Sequence, residues 1–310
     1  MYQVFSFLDN QFKTPLEDFI SSGTSGISSW VTGPLTVALT LYIVLYGFLV
    51  LRGSIPEPIM EFAFRAMKLA IILMLVQNAS NYQTYVSHVF FEDLPTEISG
   101  ALNTGSAPSA SAFDSLLDKG QKSANDIWAK GSWPVDILTG AAGLVVIVMT
   151  FIVAAIGYVV SLYARVALAI VLAIGPIFVA LAMFQSTRRF TEAWIGQMAN
   201  FVILQVLVVA VGSLLVTCLD ATFATMESYA DVLMRPIALG AIALSALYVF
   251  YQLPGIASAL AAGGASLTYG YGAARDAHEG TIARSTRYAA RAVGRGVRAA
   301  GRGFGSGGAG

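Results

Sequence analysis

The chain has 310 residues, of which 56% are hydrophobic and 12% charged, with a formal net charge of zero and a mean hydropathy of +0.69. A soluble domain carries roughly 25% charged residues, so the composition excludes that class and points to a membrane protein. The single cysteine, Cys218, lies in an apolar run, which excludes an internal disulfide and leads to the expectation of a buried, inert thiol.

The first segment, 1–33, reads as a short amphipathic helix followed by a flexible joint. Phe5, Leu8, Phe12, Leu16 and Phe19 or Ile20 recur at helical spacing. Ser21–Ser29 is rich in Ser and Gly, and Trp30 suits a membrane interface. The helix lies on the membrane, on a partner subunit or against the chain's own spans. No secretory signal is expected, because acidic residues precede the first long apolar run.

Segment 34–76 holds two expected spans. Pro34–Leu51 is just long enough to cross a ~30 Å hydrocarbon core, and Arg52-Gly53 with Pro56 and Pro58 turns the chain into the second, from about Met60 to Val76. Arg65 and Lys68 share one face of that helix. Basic residues so near a span end snorkel to headgroups or line a pore, and the first reading is preferred.

Segment 77–136 is the long hydrophilic region. Glu92, Asp93, Glu97, Asp114, Asp118, Asp126 and Asp136 outweigh Lys119, Lys122 and Lys130. Ser99–Ser111 has linker composition. Phe113, Leu116, Leu117, Ile127 and Trp128 then suggest one or two short amphipathic helices, and the region reads as a docking surface.

Segment 137–254 is apolar almost throughout. Ile137–Phe184 contains one charge, Arg165, and one break, Gly175-Pro176; further spans run from about Phe201 to Leu219 and from about Arg235 to Leu253. Segment 255–310 is a basic Gly/Arg-rich tail. Arg284, Arg287, Arg291, Arg295, Arg298 and Arg302 follow a spacing of 3, 4, 4, 3, 4, which sets them on one helical face. That face binds anionic lipid or holds topology in preference to nucleic acid, since no aromatics are interleaved for base stacking.

Positively charged loops stay in the cytoplasm. The tail and Arg188-Arg189 are therefore placed inside, and the acidic N-terminal segment and central loop outside. Ile137–Phe184 must then cross an odd number of times. One crossing, from about Ala141 to Tyr163, gives about five spans in all and puts Arg165 at the cytoplasmic interface. The apolar residues beyond it form a re-entrant or interfacial hairpin hinged at Gly175-Pro176, or a kinked ordinary span. The fold class is all-α, a polytopic helical membrane protein.

No catalytic constellation is visible. His88 and His278 are far apart and lack metal-type partners at useful spacing, so neither a cofactor nor a metal is expected. No Asp or Glu lies deep in a span, which disfavours an ion-coupled carrier.

Four features together resemble a known family. They are LRGSIPEPIMEF at the end of the first span followed by the Arg65/Lys68 helix, the large hydrophilic loop, RVALAIVLAIGPIFVALAMFQSTRRFTEAWIGQMANFVI, and a hydrophilic C-terminal tail. The pattern from Trp30 to Pro254 is similar to the TrbL/VirB-type polytopic inner-membrane subunit of type IV secretion systems. The resemblance implies five spans, with a periplasmic N-terminus, a periplasmic central loop and a cytoplasmic C-terminus. It also implies a core motif within 165–200 formed by Arg165, Gly175, Pro176, Thr187, Arg188, Arg189, Phe190 and Trp194. The implied function is a non-enzymatic channel or platform subunit for conjugative DNA or protein transfer and pilus assembly. The implied partners are copies of itself in a ring, major and minor pilins, a bitopic inner-membrane subunit, ATPases, membrane lipids and, transiently, DNA or protein substrate. A small-solute permease or ion-channel subunit is the alternative.

Overall fold

The computed structural model describes residues 3–53, 59–101, 109–129, 137–226 and 234–262. Every regular element among them is helical. Backbone in hydrocarbon has no water to satisfy its amides and carbonyls, and a helix satisfies them within itself. Four helices are long and apolar enough to cross a membrane, and a fifth crossing is available if the second helix and segment 79–101, bent by 101°, count as one.

Helix α1 runs unbroken from Val4 to Leu51, so the expected joint at Ser21–Ser29 is absent. The hydroxyls of Ser22, Thr32, Thr36 and Thr40 each donate to the carbonyl one turn back, at 2.7–2.9 Å, and so are satisfied within the helix. Gly23 lies against Ala173, where an added Cβ would meet the alanine methyl at 3.0 Å. Small residues here serve close packing rather than flexibility. The helix ends at Arg52 and at Gly53, whose φ of 71° is the left-handed conformation that glycine adopts without strain.

Helix α2, Ile59–Gln77, matches the expected second span. Asn78 caps the short helix α3, Ala79–Tyr82, by accepting from the Ser80 amide at 3.1 Å. Two π-helical turns, Gln83–Ser87 and Val89–Asp93, lead into α4, Leu94–Ala101. The centre of the expected linker, 102–108, lies outside the described residues, and both of its flanks are helical. Helix α5, Ser109–Ala129, is the amphipathic helix of the hydrophilic region. Helix α6, Ile137–Ala173, is charge-free until Arg165 and continues ten residues beyond the expected end at Tyr163. After the break come α7, Gly175–Leu181, α8, Arg188–Met226, and α9, Met234–Ala261. The arginine-rich tail, Arg284 to Arg302 included, lies outside the described residues.

Two hydrophobic cores form. In the first, α5 lies antiparallel along α6: Phe113 fills the space over Gly157, Gly120 meets Thr150 and Trp128 covers Gly143. Helices α8 and α9 complete this bundle. Gly212 of α8 stands near Phe113, and Phe250 of α9 is tilted against the same ring at 6.1 Å. Phe113, Leu116 and Ile127 are therefore buried, so the apolar face of the hydrophilic region is spent on the chain's own bundle rather than on docking. Cys218 is exposed on the outer side of α8, not buried as expected, because the inner side of that helix is taken up by α5, α6 and α9. In the second core, Ile20, Val31 and Leu35 of α1 meet Ile72 and Val76 of α2, Tyr82, Leu172 and Met198.

Candidate functional site at the Gly175-Pro176 break

A proline has no amide hydrogen, and its ring clashes with the preceding turn. Pro176 therefore leaves the Leu172 carbonyl without its ordinary helical donor, and the turn before it opens at Ile174. A buried carbonyl without a donor costs about 1–3 kcal/mol. Two distant side chains supply the donors. The Tyr82 hydroxyl donates to the Leu172 oxygen at 2.9 Å, and Trp194 Nε1 donates to the Val171 oxygen at 2.9 Å.

Gly175 is what lets them in. An added Cβ would overlap the Tyr82 hydroxyl and ring and the Trp194 ring. Tyr82 is fully buried and Trp194 nearly so. The Phe178 ring stacks on the Trp194 indole at 5.9 Å between centroids, with the planes 7° apart.

The far end of α7 is tied in the same way. A helix leaves its last carbonyls unpaired. Thr191 Oγ1 donates to the Phe178 oxygen at 2.6 Å, and Thr187 Oγ1 donates to the Leu181 oxygen at 2.6 Å. Helix α7 is about 10 Å long and is held at both ends by side-chain donors from α3 and the start of α8. By itself it is too short to cross a bilayer, and one residue, Ile174, separates it from α6.

Arg165 lies on the same side of the molecule. Helix α1 runs parallel to α6, with the Phe5 ring 5.1 Å from Tyr158, Asp9 paired to Arg165, and Gly23 against Ala173. The first turn of α1 is capped from another helix. Asp114 of α5, buried, accepts from the amides of Phe5 at 2.9 Å and Ser6 at 3.0 Å and from the Ser6 hydroxyl at 2.6 Å. A carboxylate at a helix N-terminus is favoured both by the orphan amides and by the helix dipole.

The charge count separates what the structure joins. It sets the N-terminal segment and the central region outside and Arg165 at the cytoplasmic interface, yet Asp9 neutralises Arg165 and Tyr82 caps Leu172. A partly buried guanidinium is here held by a carboxylate across 156 residues of sequence rather than by headgroups.

Of the expected site residues, Gly175, Pro176 and Trp194 come together at the break, and Thr187 ties the far end of α7. Arg188, Arg189 and Phe190 do not enter it. They form the exposed first turn of α8, where Arg188 pairs with Glu192 at 2.8 Å and the Arg189 guanidinium lies 5.1 Å from the Phe190 ring centre. Arg65 and Lys68 stand apart on α2. The Arg65 guanidinium covers the Tyr46 ring at 5.0 Å and reaches the Tyr42 hydroxyl at 3.4 Å, while Lys68 is exposed. His88 sits on the exposed π-helical turns between Glu92 at 3.0 Å and Asp93 at 3.3 Å.

Sequence reasoning does not single out Asp9, Tyr82, Asp114 or Thr191 as site residues. Asp9 carried a signal, since it lies one turn from Phe5 on the apolar face of α1. Thr191 follows Thr187 by one turn. Nothing in the local pattern marks Tyr82.

The family model for the TrbL/VirB6 plasmid conjugal transfer protein matches residues 39–253, which include the break and every donor that clamps it. The chain is 32% identical over 265 residues to the type IV secretion system protein VirB6 of Bartonella quintana, covering 85% of this chain and 81% of that protein. It is 26% identical over 231 residues to the protein VirB6 of Agrobacterium fabrum, covering 72% of this chain and 74% of that one. An uncharacterized protein of Rickettsia prowazekii, RP107, matches at 24% over 211 residues, only 23% of its own length. With its apolar helices, its clamped Gly-Pro break and these matches, the chain belongs to the TrbL/VirB6 family.

Proposed function

We propose that this chain, a multi-pass membrane subunit of a type IV secretion system, acts as a non-enzymatic platform of the secretion conduit in the bacterial inner membrane. The family match supplies the system, and the apolar helices supply the membrane. The observation that carries the platform reading is the clamp on α7. Tyr82, Trp194, Thr187 and Thr191, the polar side chains gathered at the family core, are all spent on backbone carbonyls. Such groups fix geometry: a hydroxyl or indole N–H spent on a backbone carbonyl serves positioning rather than proton transfer.

In this reading the copies stand in a ring. Regions facing the periplasm seat pilus subunits, and Arg188, Arg189 and the tail face ATPases or the inner leaflet. DNA or protein substrate is touched only in transit. The deciding experiment is an in-frame deletion complemented by the intact gene. Transfer and pilus formation are expected to vanish with the deletion and return with the gene, while solute uptake is unchanged. Wild-type transfer in the deletion strain, or a selective loss of uptake, overturns the proposal.

A further inference from the structure

Helices α1 and α2 pack antiparallel, and three contacts fix their register. The Tyr46 ring stacks on Phe62, the Arg65 guanidinium reaches the Tyr42 hydroxyl at 3.4 Å, and Gln83, beyond α2, donates to the Ser21 carbonyl at 3.3 Å. This register sets Lys68 level with about Leu39 of α1. No charged residue lies between Asp18 and Arg52. Trp30, 69% exposed, has the character of an interface anchor. From Trp30 to Leu51 the helix is about 33 Å long, close to the thickness of a hydrocarbon core, and Leu39 stands near its middle. On its own helix Lys68 is nine residues, about 14 Å, from either end. Its four-carbon stem covers less than half of that distance.

Two basic side chains thus lie along α2, and the body of the protein provides for one. The Arg65 guanidinium covers the Tyr46 ring at 5.0 Å and meets the Tyr42 hydroxyl. Lys68 is exposed, and among the described residues no carboxylate pairs with it. Leu69, Ile72 and Val76 turn inward, and the opposite side of α2 carries Phe64, Met67, Ile71 and Met74, each 46–61% exposed. They recur at intervals of 3, 4 and 3 residues, the spacing of a seam between two helices. Lys68 borders one edge of this stripe. Ala63 and Ala70, also exposed, border the other, where a second backbone can come close. Hydrocarbon suits the stripe but not the ammonium, because an ionisable group at the centre of a span is costly unless it is paired or wet. Water in turn suits the ammonium but not the stripe.

We infer that this side of α2 seats a transmembrane helix of a different protein, one that brings a carboxylate to Lys68. The pairing satisfies the ammonium and the seam satisfies the stripe. The apolar segments of a second copy offer no such group, since 19–51, 62–77, 137–164, 166–187, 201–219 and 236–261 contain neither Asp nor Glu. The inference needs α1 and α2 in the membrane and stands apart from the platform reading.

The test uses the full chain in its native membrane with the rest of its secretion system present. Met67 and Ile71 are replaced, one at a time, by a photo-crosslinking phenylalanine analogue, and the adduct is identified by mass spectrometry. One protein is expected, with an Asp or Glu inside a transmembrane helix. Lys68→Glu is expected to lower the yield at least about tenfold, whereas Lys68→Arg keeps it. Lys68→Glu combined with a lysine in place of the partner's carboxylate is expected to restore it, a recovery that packing alone does not give. Lys68→Met is expected to lower the yield as well, which keeps the charge under test should the Lys68→Glu chain fail to reach the membrane.

An adduct with a second copy, with lipid alone or with a helix that has no carboxylate overturns the inference. So does a yield that ignores the charge at position 68. The platform reading fails separately. If transfer survives deletion of the chain, that reading falls whatever the cross-linking. If deletion abolishes transfer while no protein adduct forms, only the seat on α2 falls.

Discussion

The two hydrophobic cores among the described residues are held together by different means. Around the Gly175-Pro176 break, order comes from directional hydrogen bonds between side chains and freed carbonyls, supplied by Tyr82 across 90 residues and by Trp194, Thr187 and Thr191 from nearer in the sequence. Around Gly143 and Gly157, order comes from large rings, and at Gly120 from the Thr150 side chain, seated where a neighbouring helix has no side chain. The first arrangement specifies one geometry and tolerates little movement. The second depends on volume, and volume can be redistributed among neighbours.

Substitutions test this contrast, and the largest effect belongs to the break. Gly175→Val evicts both Tyr82 and Trp194 and strips the donors from two carbonyls, so a loss of about 3 kcal/mol or more is expected. It would be read as a fall in the melting temperature of the detergent-purified protein. The milder Gly175→Ala is expected to regain stability when combined with Tyr82→Phe, since the hydroxyl is the atom overlapped most closely. No rescue would show that the backbone, not the hydroxyl, sets the limit.

In the bundle, Gly157→Val drives a side chain into the Phe113 and Phe250 rings, with an expected cost of about 1–3 kcal/mol. Phe113→Leu in the same chain is expected to return most of it, as a volume-governed site should. If that double variant is no more stable than Gly157→Val alone, the contrast between the two cores is wrong.

The Asp9–Arg165 pair joins the polar logic to α1. Arg165→Met alone leaves a partly buried carboxylate unpaired and is expected to cost about 2 kcal/mol, whereas Asp9→Leu with Arg165→Met is expected to come out close to neutral. Chemical denaturation of the four proteins in a double-mutant cycle measures the difference.

Trp194→Phe keeps the ring against Phe178 but loses the bond to the Val171 oxygen, for an expected loss of about 1 kcal/mol. Protease nicking within 174–187 should rise more than the melting temperature falls. The smallest effect is expected at Arg188→Gln, which removes an exposed pair worth about 0.5 kcal/mol in stability. A marked loss of transfer from that variant with normal membrane levels would place Arg188 on a partner surface.

These contrasts also mark what could be read from the residues alone. The helical class, α2 and the break itself were legible because hydropathy, the missing proline amide and the Gly-Pro pair are local signals. The continuity of α1 was not. Its Ser/Gly stretch carries the composition of a joint, and the close approach of Gly23 to Ala173, far away in sequence, spends that stretch on helix packing instead. The inner site was half legible. Trp194 stands in a dense motif, but Tyr82 meets the Leu172 oxygen across 90 residues, and no local pattern encodes such a meeting. The charge count treated each cluster as facing lipid or water, and so missed the mutual neutralisation of Asp9 and Arg165.

The cap on α1 has a consequence for the making of the protein. Asp114 follows Phe5 by 109 residues and Arg165 follows Asp9 by 156, so α1 leaves the ribosome before the side chains that complete it exist. At about 5–20 residues per second the delay before Asp114 appears is about 5–20 s. Throughout that interval the first amides of α1 are uncapped and Asp9 has no guanidinium to meet. The N-terminal half of α1 is therefore the last part of its own helix to find its place, and newborn chains pass through a stage in which it is still undocked.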